Sequence, residues 1–183
     1  MVTKKPISAP RTIRPRWLQA AWLVTVIVLA NAVSGVAWGF LWPTTLTERT
    51  PEGLIYVGST PDVFGRWLLY VVSSGLIAAI AGVIYGIRKP GKSGDSSYLG
   101  SGLVVLVAFS AALGSFMFFD SAALVAQILH PLPAPALIQS LELGTQLEVA
   151  IPISQWPVAY IFPAFLGALS TWATLLYKQF HIA

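Results

Sequence analysis

Residues 17–41, WLQAAWLVTVIVLANAVSGVAWGFL, run for about 25 positions without one Asp, Glu, Lys or Arg. A helix needs roughly 20 apolar residues to cross a hydrocarbon core about 30 Å thick, and this stretch is long enough. Residues 67–87, 99–119 and 158–177 pass the same test. Aromatic side chains sit near the ends of all four, including Trp17, Trp38 and Trp42 on the first, Trp67 and Tyr85 on the second, Tyr98 and Phe119 on the third, and Trp156 and Tyr177 on the last. Tyr and Trp prefer headgroup depth, where one end of the ring is wet. The predicted fold class is an all-α membrane protein, a four-transmembrane-helix bundle with two extracytoplasmic loops that carry short β segments. Residues 1–16 form a basic tail, 17–178 one membrane domain, and 179–183 a second tail.

The whole composition agrees with these spans. The chain has 183 residues, 56% of them hydrophobic and 10% charged, against about 25% charge in a typical soluble domain. So few charges cannot coat a water-facing surface, which excludes soluble enzymes, nucleic-acid readers and disordered tails. With no cysteine, disulfides, thiol catalysis and thiolate metal sites are excluded as well.

Four crossings place both termini on one side, and the basic residues choose which. Lys4, Lys5, Arg11, Arg14, Arg16, Arg88, Lys89, Lys92 and Lys178 fall on that face, and only Arg49 and Arg66 on the other. The positive-inside rule then puts both termini in the cytoplasm of a multi-pass cell-membrane protein. Acids show the converse bias: Glu48, Glu52, Asp62, Asp120, Glu142 and Glu148 fall outside and Asp95 inside. The net charge of +4 is thus sorted by sign across the bilayer. The basic tail reads as an orientation signal that touches anionic lipid. A signal-peptide apolar region spans only 7–15 residues, so the first span is expected to be a retained anchor.

The outward connections are residues 43–66 and 120–157. In the first, Leu54-Ile55-Tyr56-Val57 between Pro51-Glu52-Gly53 and Gly58-Ser59-Thr60-Pro61 predicts one arm of a small hairpin, with Leu46-Thr47 on the other arm. In the second, His130-Pro131-Leu132-Pro133-Ala134-Pro135 stops any helix that prolongs the third span. Residues 141–153 then predict one or two strands. Each piece is too small to fold alone, so the two loops are expected to pack on each other or on a partner. On the cytoplasmic side, Gly91-Lys92-Ser93-Gly94 lacks the preceding strand of a phosphate loop and reads as a basic turn.

An ionisable group at mid-depth usually marks an ion or substrate path, and these spans contain none. Asn31 is the most polar residue available, expected either as glue between helices or as a substrate contact. Small residues recur four apart: Gly35 and Gly39 in the first span, then Ser74, Ala78, Gly82 and Gly86 in the second. Such stripes let backbones approach closely, within the bundle or onto a partner helix. Asp62, Arg66 and Asp120 are expected to share an interfacial ion pair or to meet a lipid headgroup or quinone. His130 and His181 lack companions at metal-ligand spacing. No nucleophile elbow, zinc-protease motif or carboxylate dyad is present, so catalytic residues, cofactor and metal are all expected to be absent.

Gly35 and Trp38 to Pro43, then Leu46-Thr47, Gly53, Tyr56, Gly58, Asp62 and Phe64, with Pro163-Ala164 and Tyr177 near the last span, resemble a family of small four-span actinobacterial membrane proteins of mycobacterial and corynebacterial type, which carries no assigned activity. In size and topology the chain is also similar to the small accessory subunits of the cytochrome bcc–aa3 respiratory supercomplex. That resemblance implies a non-catalytic subunit whose partners are other integral membrane subunits and membrane lipids, with no nucleic acid. The alternative is a small transporter or lipid-handling protein of the cell envelope, with its site near Asn31 or under the outer loops.

Overall fold

A computed structural model describes residues 16–57, 62–88, 96–153 and 157–181, apart from the side chains of Arg16, Trp17, Gln19, Arg88 and residues 96–100. The basic tail, the Gly91-Lys92-Ser93-Gly94 turn, Gly58-Ser59-Thr60-Pro61 and Trp156 lie outside the described residues. Four long helices carry the fold: α1 (Arg16–Gly39), α2 (Val63–Arg88), α3 (Ser96–Leu129) and, last in the chain, α5 (Val158–His181). Each is long and apolar enough to cross a membrane. Three strands, β1 (Thr44–Thr50), β2 (Gly53–Val57) and β3 (Gln146–Ala150), and the short α4 (Pro135–Ser140) fill the connections.

The helix ends follow local chemistry. Asp62 caps α2 by accepting the Gly65 N–H at 2.7 Å, which satisfies a donor that the first helical turn leaves free. α3 runs ten residues past its expected end at Phe119. Asp120 therefore lies within a helix and not in a loop, and the loop expected from residue 120 begins at His130. Pro131 and Pro133 then stop the helix, as the sequence indicates. α2 starts at Val63 instead of Trp67, and α5 continues to His181, so most of the expected C-terminal tail is helical.

The helices pack as two parallel pairs. Ile27 and Asn31 of α1 face Gly114 of α3, Gly35 faces Phe118, and Gly39 faces Ala122 and Val125. The partner numbers rise together, so α1 and α3 run in the same direction. Likewise Gly75, Gly82 and Gly86 of α2 meet Leu166, Gly167 and Thr174 of α5. α3 and α5 join the two pairs in antiparallel fashion, with Gly167 opposite Val107 and Ala111. The core has two parts. Leu23, Ile27 and Val107 form one, and an aromatic cluster of Trp38, Trp42, Tyr70, Phe118 and Phe119 forms the larger, at the end nearest the sheet.

The sheet has strand order β2-β1-β3, antiparallel throughout. Thr47 pairs with Tyr56 on one side and Leu147 on the other, so both loops contribute to one structure. Gly53, with φ of 136°, ends the Pro51-Glu52 turn in a backbone conformation that a Cβ disfavours. The sheet is tied down where α1 ends. Trp42 Nε1 donates to the Ile151 carbonyl at 2.9 Å, and the Ile151 N–H donates to the Pro43 carbonyl at 3.0 Å.

Candidate functional site

The interior polar groups lie at the junction of all four long helices. In α1, the Asn31 amide donates from Nδ2 to the Ile27 carbonyl at 2.9 Å, and its Oδ1 accepts from Ser74 Oγ of α2 at 2.9 Å. α3 closes the third side with Gly114, where a Cβ would stand 2.7 Å from Asn31 Nδ2. Asn31 and Ser74 are both fully buried.

One turn before Ser74 and one residue after Gly114 lies a second node. The Ser115 hydroxyl donates to the Ala159 carbonyl of α5 at 2.7 Å. The Tyr70 hydroxyl proton is therefore directed at Ser115, with Oγ at 2.8 Å and the carbonyl at 3.1 Å. Ala159 has a carbonyl to offer because Pro163, four residues on inside α5, has no N–H to close the helical bond. A proline that would leave a lone acceptor in lipid is thus accommodated by a serine on the neighbouring helix.

Among the described residues, the buried Asn31, Thr47, Ser74, Ser110, Ser115 and Thr171 each make at least one hydrogen bond. Asn31, Ser74 and Ser115 bond across helices, whereas Ser110 and Thr171 return to their own turns. Among the described residues no group of His, Asp or Glu side chains is placed to hold a metal ion. The arrangement holds the helices in register.

The small residues singled out in the sequence fall on seams between helices. A Cβ at Gly35 would lie 2.1 Å from the Phe118 carbonyl oxygen, and one at Gly39 2.8 Å from that of Ala122. Ser74 turns to α1, whereas Ala78, Gly82 and Gly86 turn to α5, Gly82 against Ser170 and Thr171 and Gly86 against Thr174. Of the three expected ion-pairing residues, Asp62 caps α2 and its carbonyl accepts the Arg66 N–H at 3.3 Å, Arg66 also donates to the Leu41 carbonyl, and Asp120 lies within α3. His130 sits 4.0 Å from Glu148, and His181 stacks on Tyr177.

Tyr70 and Pro163 were not singled out by sequence reasoning as parts of the interior. Pro163 carries a readable signal, because a proline within an apolar span frees the carbonyl four residues earlier and invites a donor. Tyr70 carries none, being one aromatic in an apolar run.

Recesses open on the surface of the described residues. A groove of about 370 Å³ between α3 and α5 is floored by Ala108, Ala112, Ala164 and Ala168 and walled by Tyr160, Ile161 and Phe165. A cleft of about 250 Å³ lies between the β1–β2 turn and α4 and includes Arg49 and Glu52. No protein-family model, curated protein or solved structure matches the chain.

Proposed function

We propose that this chain is a non-catalytic accessory subunit of a larger assembly in the cell membrane, with an actinobacterial cytochrome bcc–aa3 respiratory supercomplex as its host. The observation that carries this reading is the closed interior. Asn31, Ser74, Ser115 and the Tyr70 hydroxyl are hydrogen-bonded within and between helices, which suits a scaffold, and Asn31 is fully buried among them with no opening toward a transported substrate. In the proposed orientation both termini are cytoplasmic and the three-stranded sheet faces outward, where it meets neighbouring subunits. Charge supports this orientation: Arg88 ends α2 and Lys178 lies in the last turn of α5, at the pole opposite the sheet, whereas Glu48 and Glu148 lie in the sheet's strands and Glu52 and Glu142 in its connections.

Mild-detergent capture of the tagged full-length protein, followed by mass spectrometry, tests the assembly. Membrane subunits are expected to co-purify in stoichiometric amount, and a solitary protein overturns the reading. The chain lacks cysteine, so single cysteines at Glu142 and Lys178 report orientation to an impermeant maleimide on intact cells, with labelling expected at Glu142 only.

One observation favours a second reading, a lipid-handling protein. The alanine-floored groove is apolar and open at the side of the bundle, where an acyl chain fits. A defined lipid that co-purifies with the wild type and is lost on filling the groove supports that reading over the first.

A further inference from the structure

α5 is held in two unlike ways on either side of Pro163. After the proline it is clamped between helices: a Cβ at Gly167 would stand 3.2 Å from Val107 and 3.4 Å from Ala111 of α3, and 3.4 Å from Ala78 of α2. Before the proline, Ala159 is buried, whereas Val158, Ile161 and Phe162 are exposed. The Tyr160 ring leans on Phe116 with centroids 6.1 Å apart, but its hydroxyl has no hydrogen-bond partner among the described residues and does not anchor the segment. The bond from Ser115 Oγ to the Ala159 carbonyl, at 2.7 Å, does.

The proline makes that bond a latch. In an unbroken helix the N–H four residues on would hold the Ala159 carbonyl. Pro163 has no N–H and its ring crowds that carbonyl, which is why helices bend at such points. The chain's own backbone therefore leaves Ala159 to a serine on another helix. The Tyr70 hydroxyl points at Ser115, so the serine proton stays directed at Ala159. An unmet carbonyl in hydrocarbon costs free energy, and the latch removes that cost only while residues 158–162 lie against α3.

The same proline divides the α3–α5 groove. Tyr160 and Ile161 of its wall come before Pro163, whereas Ala164, Phe165 and Ala168 come after it, and Ala108 and Ala112 of α3 lie across from both. A pivot at Pro163 thus carries Tyr160 and Ile161 away from the floor and leaves the clamped part of α5 in place.

We propose that residues 158–162 are a hinged wall of the α3–α5 groove, which pivots at Pro163 and is latched to α3 by the Ser115–Ala159 bond. The device stands whether or not the chain is a subunit of an assembly.

The test uses the full-length protein in detergent micelles, observed by NMR. Amide hydrogen exchange at Tyr160, Ile161 and Phe162 reads the wall, and exchange at Leu166, Gly167 and Ala168 reads the clamped part of α5. The methyl signals of Ala108 and Ala112 read the groove, because a moving Tyr160 ring alters their ring-current shifts. Ser115→Ala leaves Tyr70 the Ser115 carbonyl at 3.1 Å and removes the donor to Ala159. It is expected to speed exchange in the wall about tenfold, the scale of one buried acceptor left unmade, to leave Leu166–Ala168 unchanged and to broaden the floor methyls. Fraying of the first turn without a swing would leave those methyls sharp. Pro163→Ala returns a backbone donor to Ala159 and is expected to cancel the effect of Ser115→Ala in the double variant. If Ser115→Ala does not fold, Pro163→Ala against the unaltered protein decides, with exchange at Tyr160–Phe162 expected to slow severalfold and absence of slowing overturning the proposal. Unchanged exchange in Ser115→Ala, equal acceleration along all of α5, sharp floor methyls, or no suppression by Pro163→Ala also overturns it.

Discussion

α3 and α5 meet along one face and part along the next, and small residues line both faces. Val107, Ala111 and Ser115 of α3 are buried, as are Ala159, Pro163, Gly167 and Thr171 of α5. One residue further along each helix, Ala108 and Ala112 with Tyr160, Ala164 and Ala168 line an open groove. A step of one residue turns about 100° around a helix, enough to pass from the seam to its flank. The spacing is the same on both faces, so spacing alone does not make a contact. What stands opposite decides: Gly167 and the Ala159 carbonyl at the seam, and the rings of Tyr160 and Phe165 at the groove.

The comparison predicts that enlarging a small residue is severe where the neighbour is backbone, milder where it is a side chain that can turn, and harmless in the groove. Gly35→Leu is the severest case, because the Phe118 carbonyl would lie 2.1 Å from the first added carbon and cannot move without shifting α3. A loss of about 3 kcal/mol or more is expected, at the upper end of overpacking effects. Tryptophan fluorescence during unfolding in mixed micelles measures it, since Trp38 and Trp42 lie in the adjoining core. Loss below about 1 kcal/mol would show that the α1–α3 seam is not a rigid contact. Gly82→Ala is expected to cost roughly half as much, because its two nearest neighbours are the hydroxyls of Ser170 at 2.3 Å and Thr171 at 2.7 Å, although the Gly167 carbonyl at 2.8 Å does not yield. A cost equal to that of Gly35→Leu would remove the distinction between backbone and side-chain neighbours.

The polar node adds a smaller, separable effect. Asn31→Leu removes the bond from Ser74, and Ser74→Ala removes the same bond from the other side. Hydrogen bonds between membrane helices average about 0.6 kcal/mol by double-mutant cycle, with a maximum near 1.7. A cycle on this pair is expected to give a coupling of about 0.5–1.5 kcal/mol. A coupling indistinguishable from zero would mean that packing against Gly114 positions Asn31 and the bond to Ser74 does not.

The spans were legible because a bilayer imposes one long apolar run per crossing, and residues 67–87 and 158–177 differ from α2 and α5 by about a turn at an end. The β1–β2 hairpin was legible too, because Pro51-Glu52-Gly53 is turn chemistry between two β-favouring runs. The far end of α3 was obscured by Asp120. A carboxylate read as the membrane exit, whereas the helix continues for more than two turns because the backbone of Phe118 and Ala122 packs on Gly35 and Gly39. Gly35 and Gly39 are legible from their four-residue spacing, whereas Phe118 and Ala122 opposite them carry no such mark. Glycine advertises close approach without saying to what. Arg49 was legible only as a charge, since the carbonyl that fixes its guanidinium comes from Ile138, 89 residues away in sequence.

Ala112→Leu probes the open side of the comparison and carries the smallest expected effect. Ala112 is partly exposed and lines the groove, so the added carbons enter space that the bundle does not use. The stability change is expected to stay within about 0.5 kcal/mol, the range of substitutions away from packed features. Set against Gly35→Leu, the same final side chain then separates seam from groove by severalfold. A large loss from Ala112→Leu would show that α3 and α5 close over the groove in the membrane. A neutral stability combined with loss of a co-purifying lipid or partner would show that the groove is a surface the protein uses.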